Sequence, residues 1–219
     1  MEAAPRAGRI IGVLIIIQMV GGALVNFSLE APLFGAPGFL VNAAPHSTQI
    51  ALGALLGVAL EALWIAIAVT AFPFLYERAR ALALWFGALA AVLLAVAVAE
   101  AATVMSMISL SEAYTKASAP AQEQLQTLRI VVASARNWAH YMGKIVDGVA
   151  ILVFYAALFR LALVPRWLSG FGLVAALLMV TGVGMPLFGH AVFFPLLAPL
   201  GFAQLALAVW LLTKGFKAA

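Results

Sequence analysis

The chain of 219 residues has no cysteine. Disulfide staples and thiolate metal sites are therefore excluded, and the redox state of its compartment leaves no mark on the sequence. Charge is almost as scarce: Asp, Glu, Lys and Arg make up 9% of the residues, against 66% hydrophobic ones. Soluble domains carry about 25% charged residues, so a water-soluble globule is excluded as well. The alternating segments of about ten residues that build a membrane barrel are also absent. So are any Ser-His-Asp pattern, phosphate-binding loop or zinc-protease motif.

What is present is apolar sequence in long runs, with a mean hydropathy of +1.12. Six segments stand out, at about residues 9–29, 48–75, 81–110, 139–159, 167–188 and 191–213. Each reaches the ~20 residues that cross ~30 Å of hydrocarbon at ~1.5 Å per residue. Only helices satisfy their own backbone groups there without closing a barrel. The expected fold is all-α: a polytopic membrane protein with a six-transmembrane-helix bundle, forming a single domain over residues 1–219. The run from Ile10 to Val25 follows Arg6 and Arg9 as in a signal peptide. It is long and lacks a clean cleavage site, so it reads as a retained first span.

The net charge of +4 and pI near 9.8 would suit nucleic acid, but the basic residues sit in pairs at the ends of apolar segments, where a bilayer wants them. The expected partner is the lipid bilayer, not nucleic acid. With both termini on one side, that side holds Arg6, Arg9, Arg78, Arg80, Arg160, Arg166, Lys214 and Lys217, against Lys116 and Arg129 in the opposite loops. This bias predicts cytoplasmic termini and a multi-pass protein of the inner (plasma) membrane.

On the outer side, residues 30–47 mix prolines and glycines with apolar residues and read as a loop on or dipping into the surface. Pro120 predicts a helix start, and Leu125, Leu128, Val132 and Ala135 predict an amphipathic stretch feeding the fourth span. It is read as an interfacial helix or as a surface for a membrane-protein partner. Gly12, Gly21, Gly22, Gly53, Gly57, Gly182 and Gly184 read as points of close helix approach. Gln204, midway along the sixth span, reads as a hydrogen-bonding group across helices or as a pore-lining one.

One stretch breaks the pattern. RNWAHYMGKIVDG, residues 136–148, holds Arg136, Asn137, His140, Lys144 and Asp147. On a helix, Arg136, His140 and Asp147 fall within ~40° of one another, with Lys144 ~80° from Arg136. Counted from Arg160, Asp147 stands ~20 Å up, Lys144 ~24 Å and His140 ~30 Å, with Arg136 at or beyond the rim. The same ruler puts Glu61 ~21 Å above Leu75, Glu100 ~28 Å above Ala81 and Asn26 ~25 Å above Arg9. An ionised side chain facing lipid costs at least ~2.5–3.5 kcal/mol. Glu61, Glu100, Lys144 and Asp147 are therefore expected to turn inward in one outer layer, and Lys144 can also meet Asp147 at i, i+3.

The chemistry open to this set divides three ways. The first is a hydrated, outward-facing site binding or transporting a small polar ligand or protons, formed by Glu61, Glu100, Arg136, Asn137, His140, Lys144 and Asp147. There the carboxylates would hold cations, Lys144 and Arg136 anions, and His140 would titrate between them. The second is an ion-pair knot that sets helix register in a structural or accessory subunit of a larger membrane complex. The third is an intramembrane enzyme with a metal or haem site. No metal ligand set is assigned: His140 has Lys144 at i+4, and Asp147 lies ~10 Å away along the helix. Met105, Met107, Met142 and Met185 read as packing rather than copper ligands. No cofactor is specified by these residues.

RIIG at 9–12 with Gly21 and Gly22, the fourth span around NWAHYMGKIVDG, and LVPRWLSGFGLV at 163–174 together form a pattern over nearly the whole chain. It resembles a bacterial family of roughly 220-residue, six-span membrane proteins catalogued as a domain of unknown function. The resemblance implies that fold, and implies that the polar face of His140, Lys144 and Asp147 belongs to the family pattern. Glu61 and Glu100 are not matched to that pattern, and their expected role rests on depth alone.

Overall fold

Apolar sequence lacking the two-residue alternation of strands becomes helix. A computed structural model describes residues 3–217 and has no strand among them. The elements are α1 (Ala3–Leu24), continued by a π-helical turn Val25–Leu29, then short α2 (Ala31–Phe34) and α3 (Phe39–Asn42). There follow α4 (Ser47–Lys116), α5 (Ala119–Leu161), α6 (Arg166–Gly184) and α7 (Ala198–Lys214), with 3-10 turns at Met185–Phe188 and Phe194–Leu196 between the last two. Five stretches of described helix are long and apolar enough to cross a membrane: Ala3–Leu29, Ser47–Lys116, Ala119–Leu161, Arg166–Phe188 and Phe194–Lys214.

α4 is one element of 70 residues that departs from helical backbone at Ala79 (φ −144°, ψ 51°). A straight helix of that length would measure about 105 Å, far beyond any bilayer. The departure sits within YERAR, where the second and third spans were expected to part. α5 begins at Ala119 rather than at 139: Pro120 occupies its first turn, and Gln122 N–H donates to Ser118 O at 2.9 Å. The polar lead-in is thus the first part of one long helix.

The chain divides into two compact units. The first draws on Met1–Gln18, Ala62–Leu93 and Gly143–Ala219. Its core is built on close approach. A Cβ added to Gly172 of α6 would overlap the ring of Tyr155 of α5, and one on Gly148 of α5 would strike Met179 and Val180 of α6. Gly12 of α1 lies against Ala208 and Leu211 of α7. Trp64, Phe86 and Phe154 form an aromatic column, with centroids 6.0 Å apart for the first pair and 4.9 Å for the second. Lys217 N–H donates to Leu163 O at 2.8 Å, pinning the end of the described chain to the α5–α6 corner.

The second unit comprises Met19–Glu61 and Leu94–Met142. The 30–47 segment is not a bare loop: α2 and α3 bury Leu33, Phe39 and Leu40 against Ile50, Ala54, Val104, Met107 and Ile108. Gly38 (φ 117°) supplies a backbone turn that L side chains resist. Buried Ser111 fastens the segment, accepting from Ala44 N–H at 2.8 Å and donating to Leu40 O at 2.8 Å. Leu125 and Val132 of α5 pack on this core, as their spacing predicts. Leu128 is exposed, so the apolar face is narrower than expected. Gly21 and Gly53 make close approaches here, whereas a Cβ on Gly22 or Gly57 would meet open space.

Candidate functional site

α5 carries Arg136 and His140 one helical turn apart, so both project from the same side. α4 brings Glu100 to them. The fourth member, Glu30, closes the π-helical turn, its N–H donating to Val25 O at 2.9 Å. A π turn leaves carbonyls without their usual partners. Gln49 of α4 answers with its side-chain amide, which donates to Ser28 O at 2.9 Å and Leu29 O at 3.3 Å. Gly53, one turn further on, lets the turn approach: a Cβ there would lie 2.9 Å from Leu29 Cβ and 3.2 Å from Glu30 Cγ. Backbone repair and glycine together set the Glu30 carboxylate in place.

The guanidinium of Arg136 is the hub. Its Nη2 donates to Glu30 Oε2 at 3.2 Å and lies 3.2 Å from Glu100 Oε1. The same Glu100 oxygen is 2.9 Å from His140 Nδ1. The Phe34 ring covers the guanidinium at 4.8 Å from its centroid, a cation–π contact. The site is graded in exposure. The side chains of Glu30 and Arg136 are each 7% exposed, those of Glu100 and His140 22% and 26%. Arg136 Nε is buried without a hydrogen-bond partner. Burial pushes the Glu30 carboxyl above its ordinary range, and the opposing attraction of Arg136 only partly offsets this. Chemically, the cluster is a chain of hydrogen-bonded and ion-paired groups running from a buried carboxylate through a guanidinium to a partly exposed carboxylate and imidazole.

The family model described as "Domain of unknown function (DUF4386)" matches residues 10–215. The chain belongs to that family. No curated protein and no solved structure matches it. In this DUF4386 protein, three of the residues singled out from sequence, Glu100, Arg136 and His140, come together. Arg136, expected at or beyond the rim, is among the few buried charged side chains, with Phe34 of α2 and Glu30 at the end of the π turn against it. Asn137 is exposed. Lys144 and Asp147 pair at i, i+3, with Nζ 3.7 Å from Oδ2, and Asp147 Oδ1 is buried with no hydrogen-bond partner. Glu61 is half-buried and engaged. Asn26 is exposed and donates to Gly22 O at 2.8 Å. Among the described residues no group of three or more His, Cys, Asp or Glu could hold a metal ion.

Glu30 is the member that sequence reasoning missed. It lies in the 30–47 segment after the first span, outside the apolar runs in which a buried charge is costly. A signal was nevertheless present: a lone carboxylate with apolar sequence on both sides, in a segment too apolar to lie free in water.

Proposed function

We propose that this is a bacterial inner-membrane protein of six spans in one transmembrane domain, with both termini in the cytoplasm. Its Glu30–Arg136–Glu100–His140 cluster, in the outer half, takes up and passes protons or a small polar ligand. The break at Ala79 supports the count, since it divides α4 into arms of 47–78 and 80–116, each long enough to cross. Eight basic residues against two on the opposite loops support the orientation.

One observation carries the functional reading. A single oxygen of Glu100 is shared between buried Arg136 and half-exposed His140, at 3.2 Å and 2.9 Å. Histidine is the side chain whose charge changes in the physiological range. Protonating His140 strengthens its hold on Glu100 and weakens that of Arg136, so a proton arriving at the accessible end alters the pairing at the buried end. The test is proton uptake by sealed vesicles containing the purified protein and an internal pH dye. Uptake is expected under an imposed gradient, with a drop of about tenfold or more in Glu100→Gln and in His140→Ala. Absence of uptake, or uptake indifferent to both substitutions, refutes the reading.

A second reading has its own support. Arg136 and Glu30 are 106 residues apart in sequence and equally buried, as in a knot that fixes helix register in a structural or accessory subunit. On that reading the same variants lose stability, and no flux is seen with the intact protein.

A further inference from the structure

Outside the charged cluster, the first unit carries a groove of about 440 Å³ where the start of α6 meets α7. Its volume falls within the ~300–1,000 Å³ usual for small-molecule sites. The walls are almost wholly apolar: Phe202, Leu205 and Val209 of α7 lead up to Trp210, with Trp167 of α6 alongside. Lys214 stands at one end. From Phe202 to Lys214 the groove follows α7 for about 18 Å, against about 15 Å for half of a ~30 Å hydrocarbon layer. Trp167 is 68% exposed, and tryptophan with Lys or Arg marks headgroup level. Arg166 adjoins Trp167, and its guanidinium stands 5.8 Å from the Phe159 ring.

We propose that this groove holds one acyl chain of an anionic phospholipid, with the lipid phosphate at Lys214. The dimensions select the occupant. The groove is as long as one leaflet is deep, apolar along its length and cationic at the end bearing the interfacial tryptophan. A polar metabolite would find few hydrogen-bonding partners along the walls, the two indoles and a Thr213 hydroxyl that already donates to Val209 O and Trp210 O, and a partner helix is wider than one chain. The ammonium of Lys214 distinguishes an anionic headgroup from a zwitterionic one, whose own cation opposes it. One lysine near a membrane surface discriminates by about fivefold.

Native mass spectrometry of delipidated protein, titrated with phosphatidylglycerol and separately with phosphatidylcholine, tests this. One retained phosphatidylglycerol per chain is expected, favoured about fivefold over phosphatidylcholine. Lys214→Ala should bring the two lipids level. Ala206→Trp, which fills the groove from its own wall, should abolish retention of either. Equal retention of both lipids by the unsubstituted protein overturns the proposal, as does a preference that survives Lys214→Ala. Lys214 is exposed, so its variant decides the matter even if Ala206→Trp fails to fold.

Discussion

Both units of this protein use glycine contacts, but they differ in what else holds each one's own helices. In the first, helices meet where side chains are missing or flat: glycines at 12, 148 and 172, and the aromatic column of Trp64, Phe86 and Phe154. Its buried polar atoms include Asp147 Oδ1, Tyr155 Oη and Gln204 Oε1, none with a hydrogen-bond partner. In the second, Arg136 Nε is likewise without a partner, but other buried polar groups fasten irregular backbone. Ser111, Gln49 and Arg136 each tie a backbone or carboxylate oxygen that helix geometry leaves over. The difference follows from chain geometry. Regular helices satisfy their own backbone and need only pack closely. A segment that breaks helix three times within residues 25–46 must be fastened by side chains.

The comparison can be broken most sharply at Arg136. Arg136→Met strands buried Glu30 without its partner and should cost about 3–5 kcal/mol, read from denaturation in detergent. Adding Glu30→Gln should return a large part of that loss. If the single change is neutral, charge does not hold the second unit together. Next comes Gly172→Val in the first unit. It drives a side chain into the Tyr155 ring and should cost about 3 kcal/mol, with no recovery from any change at Arg136.

The smallest effect expected is a pH dependence. Glu30 in the folded protein has its pKa raised above 4.5, so the folded state binds that proton more readily than the unfolded one. Its contribution to stability is fully present below 4.5 and is lost as pH rises through the raised value. Glu30→Gln should flatten this slope in melting temperature against pH. An unchanged slope would assign the dependence to another group.

Much of the architecture was legible in residue order. Apolar length foretold the long helices, YERAR marked the place where α4 departs from helix at Ala79, and Pro120 marked the start of α5. The i, i+3 pairing of Lys144 with Asp147 was legible too, because both partners ride on one helix. The centre of the charged site was less so. Depth counted along each helix brought Glu100 and His140 to similar heights. It could not show that α2 and the π turn fold back to cover Arg136, because that placement depends on Gln49 and Gly53 of α4 meeting the π turn and on Phe34 of α2 reaching the guanidinium. The glycines show the same limit: Gly53 sits at a contact and Gly57, one turn further along α4, does not.

By itself, then, the order of residues determined that this chain is helical and apolar enough for a bilayer, since backbone groups in hydrocarbon must be satisfied within each segment. Only the tertiary structure decided which carboxylates Arg136 holds. Glu30 is 106 residues away from it, and a pairing at that distance is set by which surfaces the folded chain closes over one another, not by any local pattern.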